Sequence, residues 1–290
     1  RLHRSLSKSM PSPLQEALHS WTPPIGVNIA IALSLYFYIV GWRRLRKTNA
    51  AEPISQRQLG AYLAGALALW LAIGSPLEAL DDLSLLAHMV QHLLLMIVAP
   101  PLILLGAPAL PLLHGLPSWF VRVPLGGLLR SRTMQLLGEF LAEPLLCWIS
   151  AIVAMIAWHV PALFELALRS DGWHELEHAC FLGTSILFWW PVIQPWPSVA
   201  RWPRWSMPLY LLLGAIAGST VSAYLTFSDA VLYPSYVAAP RIFALSPMDD
   251  QVAAGALMWF AMTIAFLVPA VVITVRYLSP EPNRPNVHAS

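Results

Sequence analysis

Five of the nine histidines of this 290-residue chain fall in or at the ends of apolar stretches. His88 and His92 are spaced i, i+4, and His174 and His178 repeat that spacing. On a helix each pair projects from one face, where two imidazoles can share one ion. His159 closes a further apolar stretch. Met96 lies eight residues beyond His88, and Met155 one turn before His159. Imidazole with thioether is a donor set that copper, above all Cu(I), tolerates; zinc or iron accepts imidazole without needing methionine. Two pairs on neighbouring helices would also supply the two axial ligands of a b-type haem. The plainer alternative is that the histidines are hydrogen-bonded packing residues and the methionines core filler. His3, His19, His114 and His288 are expected to be solvated or interfacial.

Two further features bear on chemistry. His174-Glu175-Leu176-Glu177-His178 satisfies H-E-x-x-H, two zinc ligands with a general-base glutamate. No downstream ligand motif follows it, so the metal-binding half of that reading is retained and the zinc-peptidase half is not. Met248, Asp249, Asp250 and Gln251 open another apolar stretch. Asp250 there is either a helix N-cap or a hydrogen-bond partner that orients a ligand histidine. Tyr233-Pro234 and Tyr236 are expected to shape an outer loop over the histidines.

The elements that carry these residues are membrane helices. Apolar residues make up 57% of the chain and charged residues 11%, and the mean hydropathy is +0.61; soluble domains are about a quarter charged. A net charge of +2 gives no case for nucleic acid. Cys147 and Cys180 lie inside apolar runs and read as small core residues. The expected fold is an all-α polytopic bundle of seven transmembrane helices, near 25–42, 59–76, 83–106, 143–161, 174–193, 207–228 and 251–275. The third can pass Pro100-Pro101 only with a kink. Residues 107–142 read as an interfacial connection with an amphipathic piece near 133–141. Gly214 and Gly218 suit close helix packing. Residues 1–278 form one helical domain in this reading, and 279–290 a disordered tail. The opening at Arg1 rather than methionine suggests a trimmed N-terminus.

Loop charge gives the orientation. Arg43, Arg44, Arg46, Lys47, Arg57, Arg122, Arg130, Arg132, Arg201, Arg204, Arg276 and Arg284, twelve of the seventeen basic residues, fall on one side. The other side receives Arg1, Arg4, Lys8, Arg169 and Arg241 with most of the acids. The N-terminus is therefore expected outside and the C-terminus in the cytoplasm. That topology brings the five histidines to one level in the outer half of the bilayer, where ionisable groups are costly and mark function.

The run His88-Met89-Val90-Gln91-His92-Leu93-Leu94-Leu95-Met96, with Ala99-Pro100-Pro101-Leu102 and Leu105-Gly106-Ala107-Pro108, resembles the CtaG family, the multi-spanning cytochrome c oxidase assembly factors of caa-type oxidases. Trp158-His159-Val160-Pro161 also matches, as do Glu177-His178 leading to Phe188-Trp189-Trp190-Pro191, Tyr233-Pro234 with Tyr236, and Asp250-Gln251 before Gly255 and Met258-Trp259. The resemblance covers about residues 25–275. It implies a non-enzymatic factor of the bacterial plasma membrane that matures haem–copper oxidase and helps copper reach the CuB centre. Its partners would be the oxidase catalytic subunit, a periplasmic or extracellular copper donor and membrane lipid. His88, His92 and His178 then form the expected core of the copper site, with His174 and His159 as a fourth ligand or relay. Asp250, Met96, Met155, Glu177 and Met248 are the expected supporting residues or further ligands. The competing readings are the b-type cytochrome and a scaffold whose histidines only hydrogen-bond.

Overall fold

The computed structural model describes residues 12–47, 54–195 and 201–279, and all regular structure among them is helical. The main helices are α1 (Ile25–Lys47), α2 (Gln56–Ile73), α3 (Leu85–Leu105), α4 (Pro144–His159), α5 (Pro161–Leu168), α6 (Asp171–Ile193), α7 (Met207–Thr226) and α8 (Pro247–Leu278). The expectations for His3, His288 and the tail from Pro280 lie outside the described residues.

A helix stands at each of the seven expected positions, and α5 is an addition. Among the described residues, five helices are long and apolar enough to cross a membrane: α1, α3, α6, α8, and α7 with the 3₁₀ turn before it. The other two fall short for separate reasons. The polar opening of α2, Gln56-Arg57-Gln58, dilutes an otherwise apolar run. Prolines bound α4 to sixteen residues, about 24 Å against a hydrocarbon core of roughly 30 Å. It makes a sixth candidate only together with Arg132–Leu141, at a bend of 67°. That preceding helix buries none of its residues and exposes Leu136, Leu137 and Phe140, as an interfacial piece should.

The expected kink of α3 takes a definite form. Leu94–Val98 is a π turn placed just before the two prolines. The Met96 carbonyl would bond the N–H of residue 100 in an α-helix, or of residue 101 in a π-helix. Both are proline and have no N–H. The indole Nε1 of Trp189 on α6 donates to that carbonyl instead, at 3.1 Å. Beyond α3 the chain folds back along α1: the Tyr38 hydroxyl donates to the Gly106 carbonyl at 2.7 Å. A Cβ on Gly41 would collide with the Pro111 carbonyl, and one on Gly115 with that of Phe37, so neither position admits a side chain. On α7, Gly214 faces Phe188 of α6 and Gly218 faces Met262 of α8, the close packing expected of that pair. Cys147 and Cys180 are both free thiols.

At the other end of the molecule, hydrogen bonds to side chains pin the segment between α7 and α8. Gln251 accepts the Leu232 N–H at 2.7 Å and donates to the Leu225 and Ala230 carbonyls at 3.2 Å each. Glu165 of α5 accepts the Ser235 N–H at 3.0 Å and its hydroxyl at 2.6 Å, and Arg169 donates to it at 2.9 Å. Burial works to raise the Glu165 carboxyl, but the Ser235 and Arg169 bonds prevail and hold it below its ordinary value. The charged form is thus favoured in the folded state, and its stabilisation is lost as pH falls through the carboxylate range. Glu165→Gln is expected to cost about 1–2 kcal/mol at neutral pH. Thermal unfolding should show the gap from wild type closing as the medium is acidified below about pH 4.

Candidate metal centre

Three elements converge beneath that pinned segment. α3 brings His88 and His92, the end of α4 brings His159, and α6 brings His174, Glu177 and His178. All are buried except His174, which is partly exposed. The ring centroids lie 4.2 Å apart for His88 and His92, 5.4 Å for His88 and His174, 4.1 Å for His174 and His178, 5.9 Å for His92 and His178, and 6.1 Å for His92 and His159. The five histidines named from sequence therefore form one cluster.

Glu177 sits at its centre. Its Oε2 lies 3.8 Å from His88 Nε2 and its Oε1 3.6 Å from His92 Nε2. These separations are too long for hydrogen bonds. Two donors held about 2.0–2.1 Å from one ion, at tetrahedral to trigonal angles, stand about 3.3–3.7 Å apart. Donor atoms of His88, His92 and Glu177 all lie within 4.8 Å of one another. A second such group combines Asp81, His88 and His174, with Asp81 Oδ2 3.5 Å from His174 Nε2.

The hydrogen bonds around the cluster leave lone pairs facing into it. The Tyr236 hydroxyl donates its one proton to the Asp81 carbonyl at 2.7 Å and lies 3.2 Å from His88 Nδ1. It can only accept from that nitrogen, so Nδ1 carries the proton and Nε2 is bare. His159 Nδ1 faces the Met155 carbonyl at 2.7 Å; a carbonyl accepts, so here too Nε2 is bare. A backbone or hydroxyl partner on one imidazole nitrogen is how proteins present the other to a metal. His88 Nε2, both nitrogens of His92, Nε2 of His159, His174 and His178, both Glu177 oxygens and Asp81 Oδ2 have no hydrogen-bond partner among the described residues. Leaving that many buried polar atoms unpaired is costly, and a cation shared by one donor group, such as His88, His92 and Glu177, would satisfy its members together.

The supporting residues fall in several places. Among the described residues, Asp250 makes no hydrogen bond to a histidine. Its carboxylate accepts from the Ser84 hydroxyl at 2.9 Å and from the Leu85 and Leu86 N–H groups at 2.8 and 3.3 Å. It caps α3 from another helix, while Ser246 caps its own. Met155 meets His159 through its carbonyl. Met96 is buried, within the π turn that follows His92. Met248 is partly buried at the start of α8. Tyr233 covers the cluster as expected, stacked on Phe164 with its hydroxyl donating to the His159 carbonyl at 3.0 Å.

Asp81 was not anticipated. It ends the short helix Glu78–Asp81 between α2 and α3 and is 2% exposed. The available signal was its place seven residues before His88. Burial, and then repulsion by Asp82, pushes its carboxyl well above the ordinary range. Burial and then Asp171 raise Asp82 as well. Both acids line a cleft of about 830 Å³ that also borders His174, Glu175 and His178. Glu175, the general base of an H-E-x-x-H peptidase, is exposed in this cleft, whereas Glu177 occupies the cluster.

Fold and site define a multi-pass membrane protein built around a buried histidine–carboxylate cluster. Residues 36–279 match the family described as cytochrome c oxidase caa3 assembly factor, and the chain belongs to that family. It is 25% identical over 266 residues to the uncharacterised protein Mb0105 of Mycobacterium bovis and equally to MT0111 of Mycobacterium tuberculosis, covering 87% of this chain and 38% of each relative. ML1998 of Mycobacterium leprae, also uncharacterised, is 23% identical over 254 residues, 83% of this chain and 37% of its own length. The chain thus spans under two fifths of these relatives. No solved structure matches it significantly.

Proposed function

We propose that this assembly factor carries copper for cytochrome c oxidase, holding the ion as cargo between His88, His92 and Glu177, with His178, His174 and His159 around them. The observation that carries the reading is the convergence of bare imidazole nitrogens and carboxylate oxygens at ligand-to-ligand spacing, without partners of their own. Neutral imidazoles with one carboxylate suit a cation that must be captured and then released, because no thiolate cage closes around it.

In this reading seven helices cross the bacterial plasma membrane, α2 and α4 among them, with the N-terminus outside and the C-terminus in the cytoplasm. The cluster then lies in the outer half of the bilayer. A donor on that side loads it, and docking against the oxidase catalytic subunit within the lipid passes the ion towards CuB. The role is not enzymatic. The packing speaks against a b-type haem: the Phe181 ring lies 4.6 Å from that of His92, and Phe164 4.8 Å from His88, where a porphyrin would need a flat slot.

Purified full chain in mild detergent should retain one tightly held copper and show no Soret absorption. His178→Ala is expected to weaken retention about tenfold or more. A Soret band that sharpens on reduction, or a wild-type chain that takes up no copper, overturns the proposal.

A further inference from the structure

The cleft outside the cluster has a chemistry of its own. Its lining includes six acidic side chains, from Glu16, Glu78, Asp81, Asp82, Asp171 and Glu175, and among the described residues no lysine or arginine. Walls of one sign focus the field and raise the local concentration of counter-ions. At its inner end Asp81 uses Oδ1 to accept the Asp82 N–H at 2.7 Å. Its Oδ2 is buried, has no hydrogen-bond partner, and faces His174 Nε2, likewise without one, at 3.5 Å. His174 is the one histidine of the cluster that remains part-exposed, and it borders the cleft. His88 belongs to both donor groups, beside Asp81 and His174 on one side and beside His92 and Glu177 on the other.

We propose that Asp81 and His174 form a separate outer cation position at the foot of the acidic cleft, from which His88 passes the ion inward to His92 and Glu177. This rests on the copper-carrying reading and adds an entrance and an order to it. The carboxylates concentrate the hydrated cation, and Asp81 with His174 replaces part of its water. His88 then exchanges one group for the other without the ion ever being bare. No change of oxidation state is involved. The outer position holds its ion weakly, because solvent reaches it, and the inner position holds it tightly.

The test is copper uptake by the full chain in detergent, with cupric ion in glycine buffer as the probe, read by stopped-flow tryptophan quenching and by equilibrium dialysis. Wild type is expected to bind one tight and one weaker equivalent, with an uptake rate that falls steeply as salt rises. Asp81→Asn and His174→Gln should each remove the weaker equivalent and slow filling of the tight one at least tenfold. His92→Ala should show the converse, losing the tight equivalent and keeping the weaker. Glu139→Gln, far from the cleft, controls for charge. Wild-type uptake rates in both Asp81→Asn and His174→Gln, or simultaneous loss of both equivalents in each, overturn the outer position while leaving the copper site standing. A wild-type chain that binds no copper removes the copper reading itself.

Discussion

Replacing His88 and His92 together with alanine is expected to lower copper affinity at least about 100-fold and to abolish oxidase maturation at normal levels of the chain. The two rings supply two of the three inner donors, each with Nε2 within 4 Å of a Glu177 oxygen. Loss of groups that merely support a metal ligand already costs 10–100-fold, and in the proposed copper site these are the ligands themselves. The variant also leaves Glu177 buried without its neighbours, so Glu177→Gln in the same background separates the lost ligands from a stranded acid. The checks are metal content of the purified variant and oxidase activity of membranes, each normalised to the amount of chain. Normal maturation without copper would show that the histidines only pack, as in a scaffold.

The second large effect is on stability. Asp250→Ala should destabilise the chain by about 3 kcal/mol. The carboxylate is 4% exposed and satisfies the Ser84 hydroxyl and two backbone N–H groups at the start of α3. Those first-turn donors have no partner inside their own helix. Bonds to a charged acceptor contribute about 1.5–3 kcal/mol each, and leaving buried donors unpaired adds a penalty. The measurement is the unfolding midpoint in detergent, with Asp250→Asn, which keeps one acceptor oxygen, falling between alanine and wild type. A shift of under about 1 kcal/mol for the alanine variant would mean that water replaces the cap.

Much of this architecture was legible in the sequence because it is local. Helix positions follow from the length of apolar runs, and the His88–His92 and His174–His178 pairs follow from helical spacing. The motifs from His88 to Trp259 pointed to the family. What escaped depends on partners distant in the chain. Asp250 works through residues some 165 positions away, and no pattern around it distinguishes capping its own helix from capping another. Asp81 sits on a four-residue helix with no periodicity to read. Glu177 was visible beside His178, but its place between His88 and His92 depends on how α6 is rotated against α3.

The indole that stands in for a missing amide has a mechanical consequence. Trp189 and Met96 belong to the same two helices that carry Glu177 and His92, and their bond runs between those helices. A slide of α6 past α3 by one helical turn, about 5.4 Å, would carry indole and carbonyl out of bonding range. The carbonyl would then be stranded in an apolar interior. The two halves of the histidine–carboxylate cluster are thus kept at a common height by a latch that belongs to neither.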